Sequence, residues 1–126
     1  MDLKEKTMNL KNWAVVGATD KEDRMGYKIV ERLKENGYNV FPVHPKLKEV
    51  AGLQCYADLS QIEAKIDVVD IVVNPQIGIK VMETIQKEGI KYAWLQPGTR
   101  SDEIRDYAAE NDIELVENCI YASLGA

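Results

Sequence analysis

The run Val68-Val69-Asp70-Ile71-Val72-Val73 constrains the fold more than any other stretch of the chain. All of it except Asp70 is β-branched and apolar, so an extended strand here would present apolar groups on both faces and need cover above and below. That is the pattern of a central parallel strand between two helical layers, and it stops at Asn74-Pro75. A second apolar run, Trp13-Ala14-Val15-Val16, breaks at Gly17-Ala18-Thr19, and further strands are expected at Asn39 to Val43, Tyr92 to Leu95 and Ile113 to Val116. Pro42 implies that the backbone either leaves the ladder there or lies at a sheet edge.

Between these runs the period changes to that of helices. Met25, Ile29, Val30 and Leu33 share one face of a helix from Met25 to Asn36, with Gly37 placed for a left-handed cap. Ile79, Met82 and Ile85 mark a second helix from Gln76 to Glu88, closed by Gly89. A third runs through Ile104, Tyr107 and Ala108 behind a Thr99/Asp102 capping box. Gln54 to Tyr56 reads as a brief extended piece and Leu59 to Ala64 as a turn of helix. Residues 1–11 are polar, too short for a helix stable alone, and read as an N-terminal tail or a short docked turn. Strands alternating with helices require right-handed crossovers, which gives one domain over residues 1–126: an α/β three-layer sandwich with a mostly parallel sheet of about five to six strands.

The formal net charge of −5 argues against a broad nucleic-acid or anionic-membrane footprint, though a small basic pocket is compatible with it. Neither a membrane span nor a secretory leader is legible, so a cytoplasmic location is expected. Cys55 and Cys119 have no metal-ligand spacing and His44 is the one histidine, so no metal site and no catalytic residue is assigned.

Ligands of such sheets bind beyond the carboxyl ends of the strands. Gly17, Pro42, Asn74, Gln96 and Cys119 are therefore expected to converge on one crevice. Gly17-Ala18-Thr19 lets the backbone approach an anionic group, and the helix that follows adds free N–H groups and a positive dipole end. Arg24, in the charged loop between Thr19 and Met25, is placed to pair with a phosphate. The segment is neither GxGxxG nor GxxxxGK[ST], which weakens the dehydrogenase and P-loop readings. The second strand ends without the acidic residue of an NAD site. It runs instead into His44-Pro45-Lys46, and Lys46 suits a ribose carrying an extra phosphate. Asp70 is a weak acid/base candidate, better suited to satisfying a buried amide. Cys119 is either a reactive thiol or, more commonly for its type, an inert buried one.

VVGAT after the first strand, YNVFPVHPK at the second, DVVDIVVNP at the centre and AWLQPGT further on together resemble the small stand-alone CoA-binding proteins. Their Rossmann-like fold is that of the CoA-binding domain in the succinyl-CoA synthetase α subunit. The resemblance spans about Trp13 to Cys119. It implies coenzyme A as cofactor, with Gly17, Ala18 and Thr19 on the diphosphate and Pro42 and Lys46 beside the adenosine and its 3′-phosphate. Val73, Asn74 and Pro75 would line the adenine or pantetheine side, with Gln96 and Gly98 near the outgoing arm. His44, a pocket-wall histidine, stands where the family commonly has Asn in PVNP. Without a catalytic-histidine or nucleotide-grasp domain, the resemblance implies binding of CoA or an acyl-CoA rather than its synthesis. A homodimer or an enzyme partner subunit is left open. An NADP-linked reductase or redox sensor, and an interaction domain that has lost its ligand, are the competing readings.

Overall fold

A computed structural model describes residues 1–125. Five parallel strands form one sheet in the order β2-β1-β5-β6-β7: β1 (Asn12–Val16), β2 (Asn39–Val43), β5 (Val68–Ile71), β6 (Tyr92–Leu95) and β7 (Glu114–Val116). The expected α/β three-layer architecture is present with five strands in the main sheet. The central run is fully buried on both faces, Val68, Val69, Asp70 and Ile71 all being inaccessible.

One helical layer consists of α3 (Pro75–Lys87) and α4 (Asp102–Glu110). Met82, Ile85, Ile104 and Ala108 pack there on Ala14, Val69, Ile71, Ala93 and Leu95 of the sheet. On the opposite face α2 (Met25–Glu35) and the short α5 (Ile120–Ser123) bring Ile29, Val30, Leu33 and Ile120 against Trp13, Val15, Val68 and Trp94. A hairpin of β3 (Glu49–Val50) and β4 (Leu53–Gln54) and a 3₁₀ turn at Leu59–Gln61 fill the β2-to-β5 connection. The edge reading of Pro42 holds. It pairs in register with Val15, and its carbonyl accepts from Tyr56 N–H on the side away from β1. The missing proline N–H therefore costs no bond to β1.

Two local expectations change. Of the tail and the short docked turn expected at the N-terminus, the docked alternative is present, as a helix, α1 (Leu3–Met8), capped by Asp2, whose side chain accepts from Glu5 N–H. Six residues do not sustain a helix in isolation; tertiary bonds supply the difference. Trp94 Nε1–H donates to the buried Thr7 Oγ1 at 2.8 Å, and Tyr38 O–H donates to the Met8 carbonyl. Leu3 and Met8 join the core on the α2 side. The second change is at α4, where the cap is Ser101, accepting from Ile104 N–H, while the Thr99 hydroxyl donates to the Gln96 carbonyl. Gln96-Pro97-Gly98-Thr99 closes a turn by Thr99 N–H to Gln96 C=O, with Pro97 and Gly98 (φ +89°) in the positions a type II turn demands. Thr99 is occupied by that turn.

Thr7→Val leaves the Trp94 indole N–H buried without an acceptor. It should lower stability by about 1–3 kcal/mol in urea denaturation. A change of a few tenths would show that α1 docking does not depend on that bond.

Candidate functional site

The order β2-β1-β5-β6-β7 reverses direction between β1 and β5, and a crevice opens where the two strands part. Two adjoining cavities occupy it, both lined by Gly17, His44 and Val73.

The first is a cleft of mixed polar and apolar lining, about 490 Å³, formed by the β1–α2 turn. Gly17 makes this turn possible. Its φ is +103°, and a Cβ there would lie 2.9 Å from the Val72 carbonyl carbon and oxygen. Gly26, in the first turn of α2, is equally constrained, because a Cβ on it would overlap the Gly17 carbonyl oxygen. The helix is thereby drawn onto the end of β1. Gly17 N–H is spent on the Val43 carbonyl, but the amides of Ala18, Thr19, Met25 and Gly26 find no acceptor among the described residues. The helix openings differ in their caps. Asp2, Asn74 and Ser101 each accept a first-turn N–H of α1, α3 and α4, whereas α2 begins at Arg24, a donor, with no acidic residue in its first turn. Lys21 and Arg24 line the same cleft. Unsatisfied amides, a positive dipole end and two cations form an electropositive seat for an anion within an acidic chain.

The second cavity, of about 410 Å³, lies between the end of β2, the 3₁₀ turn and α3. Val43, Pro45, Leu59, Val73, Ile77 and Val81 make its walls largely apolar. Ile77 is 49% exposed, one of few large apolar side chains left to solvent. His44 separates the two cavities. Its Nδ1 accepts from Lys46 N–H at 3.0 Å and Leu47 N–H at 3.2 Å, so the neutral ring carries its proton on Nε2. An Asn at this position would brace the loop in the same manner through its side-chain oxygen.

The candidate residues divide accordingly. Gly17, Ala18, Thr19, Arg24, His44 and Val73 line the crevice. Pro42 lies behind the wall, buried within β2, and Pro45 occupies the position it was expected to take. Lys46 is exposed, outside both linings. Asn74 is engaged as the cap of α3, its Oδ1 accepting from Ile77 N–H at 3.0 Å, and Pro75 opens that helix. Gln96 is buried, its amide donating to Asp70 Oδ1, and Gly98 belongs to the type II turn. Neither lines the crevice, and Cys119 begins α5 without joining it. The full convergence of strand ends thus gives way to a site built from β1, β2 and β5. Missed altogether were Gly26 and the Ala57 to Leu59 segment, together with Lys21 and the α3 residues Ile77 and Val81. The first was legible as a glycine inside an amphipathic helix; the second lies in a loop without periodicity. Among the described residues no helix is long and apolar enough to cross a membrane.

Gly26→Ala should cost about 2–3 kcal/mol despite the better helix propensity of alanine, because a backbone carbonyl cannot move aside. Gly78→Ala, whose Cβ would meet the flexible tip of Ile104 at 3.1 Å and Ile71 at an ordinary 3.8 Å, should stay within about 1 kcal/mol of the parent. Equal denaturation midpoints for the two variants would refute the tight α2–β1 approach.

Comparison with known proteins places the chain in a family. The chain is 35% identical over 104 residues to an ADP-forming acetate–CoA ligase of Methanocaldococcus jannaschii, a match covering 82% of the chain but 15% of the ligase. It is 28% identical over 102 residues to YneT of Bacillus subtilis, an uncharacterized protein, covering 81% of the chain and 76% of YneT. A hypothetical protein of Pyrococcus horikoshii OT3 superposes with a TM-score of 0.86 at 36% identity, over 91% of this chain and 81% of that one. The family model described as CoA binding domain matches residues 11–124, which contain the whole sheet and both cavities, and the chain belongs to that family.

Proposed function

We propose that this chain binds coenzyme A or an acyl-CoA in the crevice between β1, β2 and β5, and that it acts as a binding module without chemistry of its own. The observation carrying this reading is the junction of an open amide seat with an apolar slot across Gly17, His44 and Val73. An adenosine diphosphate has that same division, a flat apolar base joined to a dianionic bridge. The diphosphate would take the amides of Ala18, Thr19, Met25 and Gly26 with Lys21 and Arg24. The adenine would enter the slot between Pro45, Leu59 and Ile77. Lys46, two residues beyond His44 and exposed, would reach the 3′-phosphate from outside the slot. The pantetheine arm would leave past Val73 toward Asn74 and Pro75.

His44 supports a binding role rather than proton transfer, since Nδ1 is committed to two backbone N–H groups. The ligases among the relatives are far longer than this chain, so a role here as the CoA-holding partner of an acyl-CoA-forming enzyme, or as a homodimer, forms part of the proposal.

Calorimetric titration with CoA, dephospho-CoA, NADP and NAD at one salt concentration tests it. CoA should bind most tightly, at micromolar Kd or below. Arg24→Gln should weaken CoA and dephospho-CoA alike by about tenfold, the worth of one charge-assisted bond. Lys46→Ala should weaken CoA alone. A preference for NADP would move the chain to the reductase reading, and equal losses of CoA and dephospho-CoA in Lys46→Ala would remove Lys46 from the 3′-phosphate.

A further inference from the structure

Beneath the anion cleft lies a polar pair that the binding reading does not use. Asp70, on the central strand, is wholly inaccessible, and Gln96 is 2% exposed. Gln96 Nε2–H donates to Asp70 Oδ1, while Asp70 Oδ2 and Gln96 Oε1 are both buried and without a partner. Two orphaned acceptors on two side chains already joined by one bond have a common remedy. If Asp70 carries a proton on Oδ2, that O–H donates to Gln96 Oε1 and a closed ring of two hydrogen bonds satisfies all four atoms.

Among the described residues the surroundings supply no cation for an ionised Asp70. Its strand neighbours are Val15 on β1 and Trp94 on β6. In the layer that packs on this face, α2 gives Ile29, Val30 and Leu33 and α5 gives Ile120. The titratable groups in and around the layer are Cys55, Tyr27, Tyr38, Tyr92 and Tyr121, thiol and phenols that are never positive. The cations of the adjoining elements are engaged elsewhere. Lys6 lies over the Tyr92 ring, Arg32 over the Tyr121 ring, Lys11 over the Tyr38 ring, and Arg100 bonds the Leu95 carbonyl and faces Glu117. Lys21 and Arg24 belong to the cleft itself. Burial accordingly pushes the Asp70 carboxyl up to about 8.

The pair is placed to matter to the cleft. Val72, just past the end of β5, follows Asp70 by two residues on the same side of the sheet and lines the cleft, and Gly17 follows by two the Val15 that pairs with Asp70. Two strand residues set the ring roughly 7 Å along the strands from Gly17 and Val72, which line the cleft. We propose that Asp70 and Gln96 form a neutral, doubly hydrogen-bonded carboxylic acid–amide ring, and that this single buried proton governs how strongly the cleft holds an anion. The second half of the inference rests on the anion reading of the cleft; the first does not. Removing the proton places a negative charge under the seat, and an anion binding there draws the proton back.

The ring alone is tested in the ligand-free protein by carbon-13 NMR of the Asp70 carboxyl, assigned by its loss in Asp70→Asn. The resonance should be that of the protonated acid at pH 6.5 and move only above about pH 7; an ionised Asp70 at pH 5.5 overturns the ring. Stability carries the same signature. A carboxyl raised in the folded state and ordinary when unfolded makes wild type lose stability as pH rises from about 4 to about 8, and Asp70→Asn, whose amide can close the equivalent ring with Gln96, should lack that loss. The link to the cleft is tested with CoA as probe. From pH 6.5 to 9.5 the wild-type affinity should fall about fifty-fold more than that of Asp70→Asn, the effect of one charge on another at this separation with an effective dielectric constant of about 20. Parallel pH profiles for the two proteins would refute the link. Absence of CoA binding by both at every pH would instead overturn the ligand reading together with the link, leaving the carboxyl resonance to decide the ring.

Discussion

The approach of α2 to the end of β1 sets the rest of this molecule. The Gly17 carbonyl oxygen occupies the space a Cβ on Gly26 would need, and the Val72 carbonyl sits where a Cβ on Gly17 would be. Three backbone segments therefore meet at a point with no side chain between them. That meeting leaves the first amides of the helix close over the strand end, and it does so at the switch in strand order, where β1 and β5 diverge. Had either glycine been any other residue, the helix would stand off the sheet and its first turn would face solvent rather than a cleft.

What the crevice can hold follows from how its polar groups are, and are not, satisfied. Most helix openings in the chain are closed by their own side chains, and α3, whose first turn borders the apolar slot, is capped by Asn74. The opening of α2 combines uncapped amides with a cationic flank at the crevice. Lys21 and Arg24 turn into it, although Asp20, Glu22 and Asp23 belong to the same loop, so local charge is opposite in sign to the chain's net charge of −5. The apolar slot beside it leaves Ile77 unburied, an arrangement that gains from an apolar occupant.

Much of the fold was legible because its signals are local. The runs at β1, β2, β5 and β6 and the period of α2 and α3 name their elements nearly to the residue, since strands buried on both faces and amphipathic helices write their environment into every position. The N-terminal helix was not legible, because Thr7, Met8 and Leu3 depend on Trp94, Tyr38 and the core, contacts that no six-residue window contains. The site was legible where it is made by a turn, at Gly17 to Thr19 and Arg24. It was displaced where side chains had other employment: Asn74 in a cap, Gly98 in a turn, Gln96 against Asp70, and Pro42 on the outer side of an edge strand. Asp70 was correctly matched to a buried amide, yet which amide depended on the β5–β6 register.

The central claim is that the amide seat at the β1–α2 turn, together with the slot beyond His44, takes a single nucleotide-containing ligand. Amide chemical-shift mapping of the labelled protein during addition of CoA tests it most directly. The largest changes should fall together, with one shared Kd, on Ala18, Thr19, Met25 and Gly26 and on the slot residues Leu59 and Ile77, while α4 stays still. Changes centred on α4 and β7, or on the seat and the slot with separate dissociation constants, would contradict the account.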